Sequence, residues 1–298
     1  MPRMLKYRIP SGLLMVAGLL LLVWADDWIG RRGGPPGVVL LGLVLALAAL
    51  ASVELAALLR AKWGFCSTVS TWASASLGCL MVYLLPTIPH PRTAVAIFGT
   101  AVAAVLFGSM FRHSFTRRQT QGAAAAGANA VFAMVYLGFL PGMYVLLRAG
   151  GQGVGYSAWV IAAVVLVVKA CDIGAYTAGS LVGKHKLIPW LSPGKTWEGL
   201  AGGLALSVVC ASVFTLWGNS VAPGRAVAVW YAVPAGMLLG LVGQVGDLVA
   251  SLLKRDAGVK DWAGTIPGFG GVMDVFDSLL LVGPVAYWLL VIAPAAGG

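Results

Sequence analysis

Residues 37–59 read GVVLLGLVLALAALASVELAALL, an apolar run in which Glu54 is the only charged side chain. About 20 predominantly apolar residues cross the hydrocarbon core of a membrane as a helix, so this run predicts a transmembrane span. Eight other runs meet the same criterion, and the nine predicted spans cover residues 11–25, 37–59, 66–86, 93–111, 122–147, 154–182, 198–218, 226–253 and 272–293. The sequence therefore predicts an all-α, polytopic integral membrane protein with about nine transmembrane helices.

The composition indicates the same class. Of the 298 residues, 59% are hydrophobic and 10% are charged, and the mean hydropathy is +0.90. Soluble proteins carry about 25% charged residues, so this chain has too few charges to cover a water-exposed globule. Its 40 glycines favour close packing of transmembrane helices and are compatible with a homodimer. The net charge of +10 indicates cytoplasmic loops beside anionic lipid, and no basic–aromatic run indicates a nucleic-acid partner.

The lysines and arginines predict the orientation, because the cytoplasmic loops of membrane proteins are enriched in them. With the N-terminus inside, 14 basic residues fall on the cytoplasmic side and five on the outer side. The 14 are Arg3, Lys6, Arg8, Arg60, Lys62, Arg112, Arg117, Arg118, Lys184, Lys186, Lys195, Lys254, Arg255 and Lys260. We therefore expect a multi-pass protein of the cell (inner) membrane whose loops 183–197 and 254–271 face the cytoplasm.

The acidic residues are concentrated in the second half of the chain. Seven of the ten lie there: Asp172, Glu198, Asp247, Asp256, Asp261, Asp274 and Asp277. A charged side chain in mid-membrane costs about 2.5–3.5 kcal/mol on insertion scales, so such residues usually face a cavity and have a function. We therefore predict scaffold helices with lipid access at 1–150 and a catalytic region, including both cytoplasmic loops, at 151–298.

Three predicted helical faces collect polar side chains at spacings of three, four and seven residues. They are Lys169, Asp172 and Tyr176; Asp247, Ser251 and Lys254; and Asp274 with Asp277. Structural alternatives exist for two of these faces. Lys169 and Asp172 would also neutralise each other within the membrane, and Asp274 with Asp277 would also favour the dipole at the start of a helix.

Carboxylates that converge from two helices suit a hard divalent cation. Magnesium prefers oxygen ligands and is typically held by one or two carboxylates together with substrate phosphates. Lysines in the neighbouring loops would suit a polyphosphate: Lys184, Lys186, Lys195, Lys254 and Lys260. These residues predict phosphoryl-group chemistry at the cytoplasmic face with Mg²⁺ as cofactor. The glycines of 264–271 either let backbone N–H groups approach a phosphate or form a tight re-entrant turn.

Two segments of the second half carry a longer pattern. One is SLLKRDAGVKD at 251–261, followed by IPGFGG at 266–271, Asp274 and Asp277. The other is DIGAY at 172–176, followed by GKHKL at 183–187 and SPGKTWEG at 192–199. Together they resemble the signature of the phosphatidate cytidylyltransferases, the membrane CDP-diacylglycerol synthases, over roughly residues 160–290. Two positions depart from that pattern: Phe269 stands where the family has His, and Val275 where it has Arg.

This resemblance implies transfer of a cytidylyl group from CTP to phosphatidate, giving CDP-diacylglycerol and diphosphate for phospholipid biosynthesis, with Mg²⁺. It implies that Asp247 and Asp274 bind the metal and act in catalysis together with Lys254 and Asp277. The residues expected to bind substrate are Lys195, Ser192, Ser251, Arg255, Lys260, Asp261 and Asp172. A phosphate nucleophile is already ionised at neutral pH, so no general base is required, which agrees with a site that has no usable His.

Two other functions stay open at this point. A transporter or channel would also carry Lys and Asp within the membrane. Transporters often have two similar halves, whereas the charges of this chain crowd into one half and no internal repeat is visible. The second alternative is a CTP-dependent enzyme that acts on another lipid phosphate or on a lipid alcohol.

Overall fold

Most of the described chain is helical. The computed structural model describes residues 2–150, 156–221, 226–263 and 270–295. The helices are α1 (Pro2–Arg31), α2 (Val38–Trp63), α3 (Thr68–Leu84), α4 (Pro91–Arg117), α5 (Ala123–Ala133), α6 (Leu140–Ala149), α7 (Ala158–Val182), α8 (Trp197–Val221), α9 (Ala232–Asp256), α10 (Val272–Leu280) and α11 (Val282–Val291). A π-helical turn, Met134–Phe139, joins α5 to α6, and single 3-10 turns lie at Leu85–Thr87 and Val229–Tyr231.

Eight helical segments within the described ranges are long and apolar enough to cross a membrane. They match the second to ninth predicted spans within a few residues, as Val38–Trp63 matches the predicted span 37–59. The first predicted span, 11–25, lies inside α1. The prediction of an all-α, polytopic membrane protein is confirmed.

Two of the spans are interrupted, and a proline explains each interruption. Proline has no N–H, and its ring clashes with the carbonyl of the residue four positions earlier. Pro141 deprives the Leu137 carbonyl of its helical donor, and the chain widens into the π-helical turn just before it. Pro284 has the same effect on the Leu280 carbonyl, and the helix breaks at Leu281 between α10 and α11.

The first compact unit comprises Met1–Ala158 and Asp256–Val275. In it, α3 lies close against the π-helical turn, since a Cβ at Gly78 or Gly138 would overlap the facing backbone. Large apolar side chains fill the space around this contact and are almost fully buried: Leu55, Met134, Leu137, Val145 and Leu147.

A buried carboxylate fixes the start of α2 in this unit. Asp26, at 1% exposure, accepts the backbone N–H of Val39 on Oδ1 at 3.1 Å and that of Gly37 on Oδ2 at 3.3 Å. Its Oδ2 also accepts a hydrogen bond from Nε of Arg148 at 2.7 Å. Gly37 has no side chain with which to cap α2, so Asp26 of the preceding helix supplies the cap.

The second compact unit comprises Trp159–Arg255 and Phe276–Gly298. Helices α7 and α8 approach each other through glycine, because a Cβ at Gly174 or Gly203 would contact the backbone of the opposite helix. The hydroxyl of Ser207 donates to a carbonyl oxygen of α9 at 2.9 Å. These small residues bring α7, α8 and α9 close enough for their polar side chains to meet.

The predicted cytoplasmic loop 183–197 contains a β-hairpin. Strand β1 (Lys186–Ile188) pairs antiparallel with β2 (Ser192–Thr196), with Lys186 opposite Thr196. Pro189 begins the connection, where its fixed φ suits a turn. The hairpin leads directly into α8.

The compact units do not follow the boundary at residue 150 by which we divided the chain. The segment Asp256–Val275 packs with the first unit. Packing does not test function, so the assignment of 1–150 to scaffold and lipid access, and of 151–298 to catalysis, stays a prediction.

Candidate active site

The predicted site residues are distributed over both compact units. The second unit contains Asp172 on α7, Ser192 and Lys195 on β2, Asp247, Ser251, Lys254 and Arg255 on α9, and Asp277 on α10. The first unit contains Lys260 and Asp261 after α9, and Asp274 in the first turn of α10.

Polar side chains of the second unit form a connected group, which we call the polar cluster: Lys169, Asp172, Lys195, Gln244, Asp247, Asp277 and Ser278. Lys195 contacts two of them directly. Its Nζ lies 2.7 Å from Oδ2 of Asp247 and donates to Oε1 of Gln244 at 2.9 Å. The Lys195 side chain is only 16% exposed, so water screens this ion pair weakly.

The local sequence holds Lys195 in place. The next residue, Thr196, accepts the backbone N–H of Gly199 on its hydroxyl at 3.1 Å and so caps the start of α8. A Cβ at Gly199 would lie 2.9 Å from that hydroxyl, so glycine gives the cap the room it needs. The cap joins β2 to α8 and leaves Lys195 at the junction.

Asp172 is held by three side-chain donors. Its Oδ2 accepts from Nζ of Lys169 at 3.2 Å and from the hydroxyl of Ser278 at 3.1 Å. Its Oδ1 accepts from Nε2 of Gln244 at 3.0 Å. The interpretation of Lys169 and Asp172 as a neutralising pair therefore describes an observed contact, and a substrate-binding role for Asp172 stays a prediction.

Gln244 is a member of the polar cluster that the sequence analysis missed. Its buried amide accepts from Lys195 and donates to Asp172, so it connects the two charged pairs. An amide can do this because it carries both an acceptor and donors. Gln244 precedes Asp247 by three residues on α9, and that spacing places both on one helical face. The same spacing is the signal that could have found it.

Two carboxylates of the polar cluster, those of Asp247 and Asp277, interact directly. Two such groups repel each other unless they share a proton or a cation. Lys195 and Lys254 attract Asp247, and Lys169 attracts Asp277, which offsets part of this repulsion. The remaining negative charge makes the pair a suitable binding place for a cation.

The donor chemistry fits magnesium, which takes oxygen ligands and completes its coordination with water and substrate phosphates. Among the residues that the structure describes, no group of three or more His, Cys, Asp or Glu side chains could hold a metal ion. A metal bound here would therefore depend on substrate for further ligands. Asp247 and Asp274 belong to different compact units, and their assignment to one magnesium ion stays a prediction.

Asp274 lies in a cradle of backbone N–H groups in the first unit. Its Oδ2 accepts from the N–H of Gly271 at 2.9 Å and from that of Trp262 at 3.2 Å. Gly270 has a φ of 102°, and a Cβ at this position would lie 2.6 Å from the same oxygen. The alternative interpretation, a carboxylate that stabilises the start of a helix, thus describes part of what Asp274 does.

Glu54 on α2 is the second residue that the sequence analysis missed as part of the site's framework. Its two carboxylate oxygens accept the N–H groups of Val272 at 2.8 Å and Met273 at 2.9 Å. The only charge in an apolar span is costly to bury unless it is bound. That isolated charge is the signal that could have found this contact.

The other predicted site residues lie toward the ends of their elements. Ser192 and Ser251 are partly buried, and Arg255, Lys260 and Asp261 are exposed. Their roles in substrate binding stay predictions. Val275 is partly buried on α10, whereas Phe269 lies outside the described residues.

Comparison with known proteins identifies the family. A family model described as the cytidylyltransferase family matches residues 6–293. The phosphatidate cytidylyltransferase of Mycobacterium bovis is 34% identical over 205 residues, which are 67% of this chain and 65% of that protein. The enzyme of that name from Bacillus subtilis is 39% identical over 158 residues, or 53% of this chain and 56% of that protein.

A third relative is the phosphatidate cytidylyltransferase of Staphylococcus aureus, 42% identical over 128 residues, or 42% of this chain and 46% of that protein. The matched segment covers less than two thirds of the length of each of these three relatives. The family model, by contrast, extends over almost all of the present sequence. The chain therefore belongs to the cytidylyltransferase family.

Proposed function

We propose that this protein transfers the cytidylyl group of CTP to phosphatidate and releases CDP-diacylglycerol and diphosphate. Membership of the cytidylyltransferase family supports the transfer, and the printed names of the relatives support phosphatidate as acceptor. The observation that carries the proposal is the polar cluster itself, in which Lys195 and Lys254 face the carboxylates of Asp247 and Asp277 on apolar helices. A transporter is not favoured, because the family is one of nucleotidyl-transferring enzymes.

The reaction needs charge neutralisation more than proton transfer. An oxygen of the phosphatidate phosphate attacks the α-phosphorus of CTP, a new P–O bond forms, and the bond between the α-phosphorus and the bridging oxygen breaks to release diphosphate. The nucleophile is already ionised at neutral pH, so no side chain has to remove a proton. Catalysis then consists of bringing two anions together and stabilising the charge that develops on the leaving group.

The cationic side chains of the cluster suit this task. Lys195 is prepositioned by the α8 cap and by Gln244, so little reorganisation is needed when a phosphate approaches. Lys254 is buried, at 9% exposure, and attracts the same carboxylate, Asp247. We assign both lysines to the CTP phosphates. Ser192, Ser251, Arg255, Lys260 and Asp261 would bind the outer parts of the substrates, and Asp172 would hold Lys169 and Gln244.

Mg²⁺ is the cofactor of this proposal. Asp247 and Asp274 would hold it, with Asp277 beside Asp247, and the bound ion would neutralise negative charge on the CTP phosphates. The oxygen-rich donor set described above supports this choice of metal.

The proposed reaction takes place at the cytoplasmic face of the cell (inner) membrane, where the loops 183–197 and 254–271 would receive CTP from solution. Phosphatidate would enter from the lipid, and a homodimer is an expectation that follows from the glycine-rich helices. This arrangement agrees with the excess of basic residues on that side.

One incubation tests the proposed function. Purified full-length protein is mixed with CTP labelled at the α-phosphate, magnesium and phosphatidate in detergent–lipid micelles, and the lipid fraction is separated by chromatography. We expect label in CDP-diacylglycerol, with one diphosphate released per product. Parallel incubations offer other lipid phosphates and a lipid alcohol. Label transferred only to one of those acceptors would refute phosphatidate as substrate, and no transfer to any of them would refute the function.

A further inference from the structure

The α10 helix begins without a cap from its own neighbourhood. The first N–H groups of a helix have no acceptor within the helix, and this end carries a partial positive charge. The residues before α10 are Gly270 and Gly271, which have no side chain that could accept a hydrogen bond. An acceptor must therefore come from elsewhere in the chain.

Glu54, more than 200 positions earlier in the sequence, supplies that acceptor. Its Oε1 accepts the N–H of Val272 at 2.8 Å, and its Oε2 accepts the N–H of Met273 at 2.9 Å. The residue is 4% exposed. Each carboxylate oxygen thus satisfies one of the first two N–H groups of α10, and the carboxylate charge faces the positive end of the helix.

The two glycines leave room for one carboxylate each. A Cβ at Gly271 would lie 2.6 Å from Oε2 of Glu54, and a Cβ at Gly270 would lie 2.6 Å from Oδ2 of Asp274. The first turn of α10 is therefore enclosed by Glu54 and Asp274. A side chain at either glycine would displace one of these carboxylates.

We propose that Glu54 is a positioning residue of the active site, an inference that rests on the proposed function. It binds the start of α10 and so fixes where Asp274 and Asp277 stand along that helix. Asp274 follows the two bound N–H groups directly, and Asp277 lies one helical turn further on. A displacement of about 1 Å in a reacting group can cost about 10²-fold in rate, so the register of α10 matters for transfer.

This role gives the N-terminal region a direct part in building the site. The sequence analysis assigned that region to scaffold and lipid access. Glu54 touches neither reacting atom in this account and acts through the helix that it holds. Its loss should therefore affect turnover and magnesium dependence more than the affinity for phosphatidate.

The test compares Glu54→Gln with Asp26→Asn. Glutamine keeps the size of the side chain, but it has one acceptor oxygen, and its NH₂ group faces the second backbone N–H. Asp26 is the matched control, because it is also a buried carboxylate that caps the start of a helix, α2, and lies outside the proposed site. Both variants should lower the melting temperature of the protein.

Three readouts separate positioning from plain stability. In Glu54→Gln we expect the amides of Val272 and Met273 to exchange with deuterium about 10-fold faster or more. We expect kcat to fall about 10–100-fold, and the magnesium concentration for half-maximal rate to rise by a similar factor, with the KM for phosphatidate nearly unchanged. Asp26→Asn should change neither kcat nor the magnesium requirement.

A second variant reaches the same contact from the opposite side. Gly271→Ala places a methyl group against Oε2 of Glu54 and leaves the charge intact, so it should reproduce the exchange and kinetic changes of Glu54→Gln. Wild-type magnesium dependence and kcat in Glu54→Gln and Gly271→Ala would overturn the proposal, and so would unchanged exchange at 272–273. Failure of the proposed function is distinguishable, because the wild-type protein would then be inert with CTP while the exchange result is still measured.

Discussion

Replacing Lys195 by methionine removes the ammonium group that joins Asp247 to Gln244 and keeps a side chain of similar length. Two short contacts disappear: the 2.7 Å ion pair to Oδ2 of Asp247 and the 2.9 Å hydrogen bond to Oε1 of Gln244. Asp247 then faces the carboxylate of Asp277 with one cation fewer. We expect both the stability and the activity of the protein to fall.

The size of each effect follows from burial. Removing one partner of a fully buried ion pair costs about 3–5 kcal/mol. Asp247 is 33% exposed, so water screens part of the loss, and we expect the free energy of unfolding to fall by about 1–3 kcal/mol. The loss of one prepositioned cation near the transferred phosphate should lower kcat by about 10²–10³-fold.

Lys186→Met is the matched control for this change. Lys186 lies on the other strand of the same hairpin and is exposed, so its replacement should change stability by no more than about 0.5 kcal/mol. Turnover is measured with labelled CTP at saturating magnesium, and unfolding is measured by titration with a denaturing detergent in mixed micelles. If Lys195→Met matched Lys186→Met in both measurements, the reasoning about Lys195 would be refuted.

Three further predictions concern topology, Gln244 and Phe269. A cysteine introduced at Lys260 should resist an impermeant thiol reagent in intact cells, because the loop 254–271 is predicted to be cytoplasmic; ready labelling would contradict the orientation. Gln244→Leu removes a contact from both Lys195 and Asp172 and should lower turnover about 10–100-fold, whereas near-normal turnover would show that the bridge is dispensable. The wild-type chain should be active although it has Phe269 in place of the family's His, and Phe269→His should change kcat little; inert wild-type protein that gains activity only with His would contradict this.

The fold was largely predictable because a membrane imposes a simple length rule. Each apolar run of about 20 residues became a helical span, and the run 37–59 corresponds to Val38–Trp63. The interruptions at Pro141 and Pro284 could have been anticipated from the missing N–H groups. The hairpin at 186–196 was harder to foresee, since its strands are short and follow no alternating pattern.

The candidate site was predictable where charge in an apolar helix gives a signal of its own. Lys169, Asp172, Asp247 and Asp277 were found in this way, and the structure joins them through Lys195. Contacts made by distant parts of the chain gave no periodic signal. Glu54 meets the start of α10 across more than 200 positions, and only its isolated charge indicated that it needed a partner.

The central claim is that the carboxylates of α9 and α10 support a magnesium-dependent cytidylyl transfer. Asp247→Asn and Asp274→Asn each keep the size of the side chain and most of its hydrogen bonding but remove the charge that would hold the metal. Asp256→Asn is the control, because Asp256 is largely exposed at the end of α9 and pairs with Lys62 on α2. Expression and thermal stability of the two site variants should change little, because nearby carboxylates repel each other before a metal binds.

The most direct measurement is the rate of CDP-diacylglycerol formation as a function of magnesium concentration for these three variants and the wild-type protein. The account predicts that Asp247→Asn and Asp274→Asn each lose about 10²–10³-fold or more in turnover, while Asp256→Asn stays close to wild type. Near-normal, magnesium-dependent turnover in both site variants would contradict the assignment of the metal and of the catalytic carboxylates.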